Sequence, residues 1–380
     1  GPENGHDVTR LETLLRDLQR VEGPVLLHVV TEKGRGYHAP GDDAAHAVSP
    51  PKLPRPKTDA QPKPTISWSN AFGRTVADLM EGDPRIVAVT PAMPGGSGLV
   101  PVGVRFPDRV IDVGICEQHA VGLSAGMAEV GLKPIAAIYS SFLQRGYDQV
   151  FQEVAIQQLP VVLAMDRAGI VGGDGVTHQG LYDIAFLRTI PGIALMAPAD
   201  PPELDAMLRH AVAQPTPTAV RYPRGSVPDE ALPGNGARIR HGRGVRLRQG
   251  DDLVLCAYGS MVPSALEVAE RLAAEGVEAT VFNARFARPL DTQAIDRFVE
   301  RFPLMLTLEE HAVNGGFGSA VLEHLATRQP TDCVVRLVGV PDRFVPHGDA
   351  KDWFLRFQLD VESLTARVLR ELEALRHQDA

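Results

Sequence analysis

The chain has 380 residues, which is too many for one ordinary domain core and predicts two domains plus a smaller piece. Hydrophobic residues make up 44% and charged residues 22%, and no apolar run approaches the ~20 residues of a membrane-spanning helix, so we expect a soluble protein that does not enter a membrane. The net charge of -9, with both signs interspersed, argues against nucleic acid as a partner. It leaves room for small phosphorylated ligands held by local arginines.

The cysteines Cys116, Cys256 and Cys333 are too few and too far apart for a metal knuckle or a disulfide framework. This usage is typical of a reducing compartment and predicts a cytoplasmic protein. We interpret all three cysteines as packing residues.

The first part of the chain predicts an amphipathic helix through Leu11, Leu14, Leu15 and Leu18 and a buried strand at Val25–Val30. One helix and one strand cannot bury a core by themselves, so residues 1–47 are interpreted as the remnant of a preceding α/β domain. The chain begins with Gly1 and has no apolar signal segment, so its beginning is expected to be a cut. Proline is dense between residues 38 and 64, which predicts a linker over residues 48–66.

Two series of short apolar runs that alternate with helical patterns follow the linker. The first series predicts strands at Ile86–Thr90, Val110–Val113, Ile135–Tyr139, Val161–Met165, Ile193–Ala197 and Thr218–Arg221. After a polar stretch at Tyr222–Gly250, the second predicts strands at Leu253–Tyr258, Ala279–Phe282, Met305–Leu308 and Val334–Val338. Such alternation indicates an α/β fold with two doubly wound, mainly parallel sheets, in domains at residues 67–232 and 233–380.

The segment DVGICEQHAVG, residues 112–122, places Glu117 between a strand end and a helix rich in glycine and alanine. Ligands of open parallel sheets bind beyond the carboxyl ends of the strands, so Glu117 is a candidate ligand-binding carboxylate. A carboxylate in this position is also favoured by the helix dipole alone. The segment by itself leaves both roles open.

The segment YSSFLQRGYDQ, residues 139–149, also follows a strand and offers Tyr139, Phe142 and Arg145. Arginine at a strand end suits bidentate recognition of a phosphate or carboxylate, but a surface pair with Asp148 is an alternative. A phenylalanine such as Phe142 is more often a core residue than a platform for a cofactor.

The segment GGDGVTHQG, residues 172–180, combines four glycines with Asp174 and His178. The histidine suits proton transfer near neutral pH, although a flexible polar loop without chemistry has the same composition. Arg224, in RYPRG, follows another strand. The sequence leaves open whether its side chain binds a ligand or stabilises the structure. The Gly-Asp-Gly around Asp174 lacks the asparagine expected 25–30 residues later in a magnesium-diphosphate signature, so no metal site is predicted in this chain.

Several further segments accompany these four in an order that covers nearly the whole chain. They are GPENGHD (1–7), EKGRGY (32–37), TPAMPGGSGL (90–99), NARFARPLD (283–291), LEEHAVNGGFGSAVLEHL (308–325) and VGVPDRFVPHG (338–348). With them the chain resembles the 1-deoxy-D-xylulose 5-phosphate synthase family of the transketolase superfamily. That family has a diphosphate-binding, a pyrimidine-binding and a transketolase C-terminal-type domain, so the resemblance implies that only the end of the first is present.

The resemblance implies a cytoplasmic, homodimeric transferase that uses thiamine diphosphate and Mg²⁺, with the magnesium ligands in the absent amino-terminal domain. Its substrates would be pyruvate and D-glyceraldehyde 3-phosphate, and its products 1-deoxy-D-xylulose 5-phosphate and CO2, for isoprenoid and thiamine biosynthesis. Glu117 would hydrogen-bond the aminopyrimidine and so activate the cofactor. Phe142 would pack on the pyrimidine, and Tyr37 would approach the cofactor from the remnant.

The aldehyde is the acceptor in this reaction, and the resemblance implies that its phosphate is bound by Tyr139, Arg145 and Arg224. It assigns proton transfer to His178 with Asp174 beside it, and it places His46 near the active site. The C-terminal domain is expected to serve packing and dimer contacts.

Two other readings compete with this one. The first is the beta subunit of a 2-oxoacid dehydrogenase's decarboxylating component, which would not carry residues 1–37 and the proline linker. The second is an inactive assembly module, against which the retention of Glu117, His178 and Arg224 argues. Because the chain lacks the diphosphate half of the site, we expect negligible turnover from the chain alone.

Overall fold

The structure of the chain is a computed structural model, which describes residues 1–32, 35–36, 66–228, 231–232, 234 and 238–378. The chain divides into two units, Gly1–Lys63 and Pro64–Ala380. The predictions for Tyr37 and His46 lie outside the described residues. No helix in the described part has both the length and the apolar character needed to cross a membrane.

The first unit contains strand β1 (Glu3–Asn4), helix α1 (Val8–Leu18) and strand β2 (Val29–Val30). The predicted helix is confirmed, and its amino end is capped by Asp7, whose side chain accepts a hydrogen bond from the Arg10 amide. The predicted buried strand at Val25–Val30 is wrong. Only its last two residues pair with β1, and Leu26 is 94% exposed, because a parallel pair of two-residue strands offers no apolar layer to cover it.

The second unit contains twelve strands and twelve α-helices within its described residues, together with 3-10 helices at Gln144–Gly146, Gly172–Asp174 and Val176–His178 and a π-helix at Val150–Ala155. The strands are β3 (Ile86–Thr90), β4 (Val110–Asp112), β5 (Lys133–Tyr139), β6 (Val162–Asp166), β7 (Ala194–Met196), β8 (Thr218–Arg221), β9 (Val245–Arg248), β10 (Leu253–Tyr258), β11 (Ala279–Asn283), β12 (Phe286–Arg288), β13 (Leu304–Ala312) and β14 (Val334–Val340). The α-helices are α2 (Trp68–Gly82), α3 (Val100–Arg105), α4 (Glu117–Glu129), α5 (Ser140–Leu143), α6 (Tyr147–Gln149), α7 (Asp183–Leu187), α8 (Pro201–Val212), α9 (Met261–Ala274), α10 (Thr292–Arg301), α11 (Phe317–Leu325), α12 (Ala350–Arg356) and α13 (Val361–Gln378).

These strands form two sheets. The seven-stranded sheet has the order β12-β7-β8-β6-β5-β3-β4 and is parallel except for β12. The five-stranded sheet has the order β14-β13-β10-β11-β9 and is parallel except for β9. The predicted α/β class with two mainly parallel sheets is therefore confirmed.

The two antiparallel edge strands were not predicted. β9 lies inside the stretch read as polar, where Val245 and Leu247 alternate with arginines on an edge strand. β12 follows the second sheet's strand β11 in sequence but pairs with β7 of the first sheet. The domain boundary at residues 232/233 stays a prediction.

One hydrophobic cluster continues from the first sheet into the second. It contains Val121 of α4, Leu163 of β6, Tyr258 of β10 and Phe317 of α11, all fully buried. The rings of Tyr258 and Phe317 stack with their centroids 5.3 Å apart. The two sheets therefore share a core, which fixes the strand ends of one relative to the other.

Candidate active site

The carboxyl ends of the parallel strands bring the predicted site residues to one edge of the first sheet. Tyr139 at the end of β5 pairs in register with Asp166 at the end of β6, and Met165 pairs with Arg221 at the end of β8. The candidate residues Glu117, Phe142 and His178 follow strands of this sheet. This edge is where an open parallel sheet binds ligands.

Glu117 is the first residue of α4, and its side chain is buried, with only 5% of the residue exposed. It forms no hydrogen bond or ion pair with the described part of the chain. The helix dipole favours a carboxylate here, and its oxygens are not among the fully enclosed unpaired oxygens of the described residues, so they keep some access from outside the chain. A bound group that brings a nitrogen donor, such as an aminopyrimidine, fits this position.

The start of α4 lies beside the turn that carries Arg145. A Cβ added to Gly146 would lie 3.4 Å from the Glu117 carbonyl oxygen, so the Glu117 backbone packs against the short helix at residues 144–146. The guanidinium of Arg145 is exposed and forms no ion pair within the described residues, so the alternative pair with Asp148 is not formed. Cys116, expected to pack inside, is exposed just before α4.

Three of the predicted residues form one ring cluster. The rings of Tyr139 and Phe142 stack with centroids 5.5 Å apart, and the His178 ring meets Phe142 edge-on at 5.0 Å. The His178 Nδ1 lies 2.9 Å from the Thr177 hydroxyl. The structure therefore brings the loop at residues 172–180 against the segment that follows β5.

Arg224 and Asp174 form an ion pair with 2.7 Å between Nη1 and Oδ1. The same Nη1 lies 3.3 Å from the Val171 carbonyl oxygen. The Arg224 side chain is 43% exposed, so it can be reached from solvent. An anionic ligand would share this arginine with Asp174.

Arg167 is a site residue that the sequence reasoning missed. Its guanidinium lies 4.1 Å from the centre of the Tyr139 ring, forms a 2.8 Å ion pair with Asp166, and donates to the Gly96 carbonyl oxygen at 2.6 Å. Its backbone has φ +59, an uncommon conformation for a side chain of this size and one that recurs at functional sites. A cation directly after a strand end was the available signal.

The Tyr139 hydroxyl stays protonated near neutral pH. Burial raises the pKa of Tyr139 to about 12, and the nearby charges of Arg167, Asp166, Asp174 and Arg224 act on the same group. A Cβ on Gly96 would lie 1.8 Å from this hydroxyl, so glycine is required for the approach. The phenol is therefore a hydrogen-bond donor at the sheet edge.

Within the described residues, no group of three or more histidine, cysteine, aspartate or glutamate side chains is arranged to hold a metal ion. The prediction that the magnesium ligands lie outside this chain stays a prediction. The polar groups at the sheet edge are a carboxylate, a phenol, an imidazole and guanidinium groups.

The family models for the transketolase pyrimidine-binding domain and the transketolase C-terminal domain match residues 64–230 and 242–364. The 1-deoxy-D-xylulose-5-phosphate synthase of Desulforudis audaxviator is 48% identical over 98% of this chain, and that of Heliobacterium modesticaldum is 46% identical over 98%. The chain belongs to the 1-deoxy-D-xylulose 5-phosphate synthase family. It spans only 58% and 57% of the length of these two relatives.

Solved transketolase structures have the same fold as this chain. A split gene transketolase described as an inactive beta4 tetramer aligns with a TM-score of 0.73 and 29% identity, covering 81% of this chain and 99% of its own. A transketolase from Pichia stipitis aligns with a TM-score of 0.68 at 19% identity, over 82% of this chain and 46% of its own, and so shows the fold alone.

Proposed function

We propose that this chain forms the pyrimidine and acceptor side of a thiamine-diphosphate-dependent 1-deoxy-D-xylulose 5-phosphate synthase. The whole protein would condense pyruvate with D-glyceraldehyde 3-phosphate, releasing CO2, as the first step of the non-mevalonate isoprenoid pathway. The observation that carries the proposal is Glu117, a residue only 5% exposed whose carboxylate has no partner within the described residues, at the same sheet edge as the Tyr139–Phe142–His178 cluster. The names of the relatives in this family support the choice of reaction.

The bound cofactor would supply a thiazolium carbon nucleophile and an electron sink for decarboxylation. Glu117 would accept a hydrogen bond from the aminopyrimidine and so fix its tautomer. Phe142 would offer a flat apolar face for the pyrimidine. The magnesium ion and the diphosphate would be held by a preceding domain.

The acceptor side would recognise the aldehyde by its phosphate and move one proton. Arg224 and Arg145 would donate charge-assisted hydrogen bonds to the phosphate, and the protonated phenol of Tyr139 would add another. The His178 imidazole, held against Phe142, would give a proton to the oxygen that was the aldehyde carbonyl. Arg167 would hold the Tyr139 ring in place for this contact.

We propose that the chain alone has negligible turnover and that the complete protein is a homodimer. The split gene transketolase that matches this fold is described as an inactive tetramer of its beta chain, which supports the first point. Large apolar side chains around α4 are exposed, among them Ile115 at 83%, Val130 at 77% and Ile156 at 60%, which supports a partner on this side. Cytoplasmic localisation remains a prediction.

The test is product analysis by mass spectrometry with pyruvate, glyceraldehyde 3-phosphate, thiamine diphosphate and Mg²⁺. The samples are the full-length protein, its Glu117→Gln variant and this chain alone. The control is Glu129→Gln, which changes an exposed glutamate at the other end of α4. We expect deoxyxylulose phosphate from the full-length protein and the control, and neither product nor CO2 from Glu117→Gln or the chain alone.

Release of CO2 by the full-length protein without the sugar phosphate would overturn the acceptor assignment and favour the dehydrogenase-type reading. An unchanged rate in Glu117→Gln would overturn the role of Glu117.

A further inference from the structure

The end of β13 in the C-terminal domain reaches the loop at residues 168–182, which carries Asp174 and His178. Glu310, His311 and Ala312 each form a hydrogen bond with this loop or with the helix that follows it. The sequence had assigned the C-terminal domain to packing and dimer contacts. These bonds connect that domain to the acceptor side of the candidate site.

Glu310 makes the most specific of these contacts. One carboxylate oxygen, Oε1, accepts a hydrogen bond from the Ile170 amide at 2.7 Å, and the other, Oε2, accepts one from the Ser260 hydroxyl at 2.5 Å. Only 4% of Glu310 is exposed. Both oxygens of a buried carboxylate are therefore used, one of them on the backbone of the loop.

The loop fits this carboxylate because residue 169 is glycine. Gly169 has φ +91, and a Cβ there would lie 2.4 Å from the Glu310 Oε1. A side chain at this position would be strained and would also displace the carboxylate. The close approach of the Glu310 carboxylate to the loop backbone therefore requires glycine at position 169.

The returning part of the loop, around Gly180 and Leu181, is hydrogen-bonded both to the outgoing part around Gly169 and to the end of β13. Gly169 and Gly180 exchange two backbone hydrogen bonds of 2.7 and 2.9 Å. The Ala312 amide donates to the Leu181 carbonyl oxygen at 3.1 Å, and Arg221 Nη2 lies 3.3 Å from the carbonyl oxygens of Gly180 and Glu310. The hydrogen bond at Ile170 therefore also restrains the part of the loop that returns from His178 through Gly180.

We propose that Glu310 is a positioning residue, which holds the loop at residues 168–182 so that His178 stays against Phe142. The consequence for catalysis rests on the proposed function, because the role of His178 is part of that proposal. The effect on loop geometry does not depend on it. Glu310 touches the loop backbone rather than the substrate, so its contribution is to place the imidazole.

Glu309 provides a matched control. It is also a fully buried glutamate of β13, and its carboxylate accepts hydrogen bonds from the Phe317 and Gly318 amides at 2.6 and 2.8 Å. Both donors belong to α11 of the C-terminal domain. Shortening Glu309 disturbs a buried carboxylate of the same strand without removing a hydrogen bond from the loop.

The first experiment is hydrogen exchange by mass spectrometry on the full-length protein, with peptides that cover residues 168–182. Glu310→Asp withdraws the carboxylate by one methylene, and we expect it to speed exchange in these peptides about tenfold. Glu309→Asp is expected to leave them unchanged, and Glu310→Gln, which still offers an oxygen to the Ile170 amide, is expected to restore slow exchange. Equal exchange in the two aspartate variants would overturn the proposal.

The second experiment measures kcat and KM for the aldehyde in the same variants. We expect Glu310→Asp to lower kcat about tenfold or more, since small displacements of a proton-transfer group are expensive. We expect Glu309→Asp to keep kcat within about twofold at a temperature where both variants are folded. Faster loop exchange with unchanged kcat would overturn the catalytic part, whereas a wild-type protein that forms no sugar phosphate would refute the proposed function and leave the loop result standing.

Discussion

The imidazole of His178 meets the ring of Phe142 edge-on, with centroids 5.0 Å apart and planes at 69°. The two residues come from different segments of the chain, and their contact joins the proposed cofactor side to the proposed acceptor side. Edge-on aromatic pairs contribute about 0.5–1.5 kcal/mol beyond the area they bury. The contact is therefore strong enough to favour one orientation of the imidazole.

Replacing Phe142 by leucine removes the ring contact that orients the His178 imidazole, while it keeps an apolar side chain at this position. We expect Phe142→Leu to lower kcat of the full-length protein about tenfold and His178→Asn to lower it about a hundredfold or more. The double variant should be no slower than His178→Asn by more than about twofold, because the ring acts through the imidazole. Steady-state kinetics with both substrates measures this.

A matched control for this prediction is Phe298→Leu. Phe298 meets Phe282 edge-on at the same 5.0 Å, with planes at 71°, in the C-terminal domain. Phe298→Leu should lower the free energy of unfolding about as much as Phe142→Leu does, and it should leave kcat unchanged. Fully additive effects of Phe142→Leu and His178→Asn would contradict the prediction.

The ion pair of Arg167 with Asp166 is expected to matter for stability. Asp166 is 1% exposed and burial raises the pKa of its carboxyl, while Arg167, Ser69 and the Arg167 amide favour the charged form. Arg167→Met would leave this buried carboxylate without its cation. We expect the free energy of unfolding to fall by about 3 kcal/mol, measured by denaturant titration.

The exposed pair of Arg85 with Asp83 has the same 2.8 Å separation and is the control. Arg85→Met should cost less than about 1 kcal/mol, since the side chain of Arg85 is 58% exposed. Equal losses in the two variants would show that burial of Asp166 does not decide the effect.

Arg224 should discriminate between phosphorylated and unphosphorylated aldehydes. We expect Arg224→Gln to raise KM for glyceraldehyde 3-phosphate about tenfold to a hundredfold, since a hydrogen bond to a charged group is worth about 1.5–3 kcal/mol. KM for glyceraldehyde should change by less than about twofold. Arg209→Gln is the control, because Arg209 also forms a half-exposed ion pair, with Asp205 at 2.8 Å, on α8. A similar rise for both aldehydes would contradict phosphate recognition by Arg224.

Local patterns were sufficient to predict the central strands, whereas contacts between distant segments were not accessible from the sequence. Ile86–Thr90, Thr218–Arg221 and Leu253–Tyr258 are strands with the predicted bounds, because buried parallel strands are continuous apolar runs. β12 was missed because its partner β7 lies about 90 residues away in the other sheet. The same holds for Glu310, whose partner Ile170 is 140 residues away.

In the candidate site, too, local segments could be predicted from the sequence, whereas contacts between distant segments could not. Tyr139, Phe142 and His178 were identified from segments at strand ends, and the structure brings their rings together. The pair of Arg224 with Asp174 was not foreseen, because nothing local relates residues 50 positions apart. Arg167 was missed because its importance lies in its position over the Tyr139 ring.

The buried imidazole of His311 gives a prediction about pH. Its Nε2 accepts a hydrogen bond from the Ile184 amide, its Nδ1 lies 2.7 Å from the Ala312 carbonyl oxygen, and burial lowers its pKa from 6.5 to about 4. The titratable groups that face it are the side chains of Asp183 and Glu309, each 3.8 Å away, and the charged guanidinium of Arg221 lies nearby. The folded protein therefore keeps this ring neutral over a pH range in which the unfolded chain protonates it.

Between pH 6.5 and about 4 the unfolded state binds one more proton at this site, so His311 makes the folded state less stable as the pH falls. Glu309 acts in the opposite direction, because burial raises its pKa from 4.5 to about 8 and the folded state holds the extra proton in that range. The wild-type pH profile alone would therefore mix the two effects. Each is isolated by comparing the wild type with one variant.

We expect the stability difference between the wild type and His311→Gln to shift against the wild type by up to about 3 kcal/mol as the pH falls from 6.5 to 4. The difference between the wild type and Glu309→Gln should shift against the wild type as the pH rises from 4.5 to 8. Denaturant titrations at a series of pH values measure both. Parallel pH profiles for the wild type and His311→Gln would mean that the ring titrates alike in the folded and unfolded states, contrary to the neutral form that its two hydrogen bonds require.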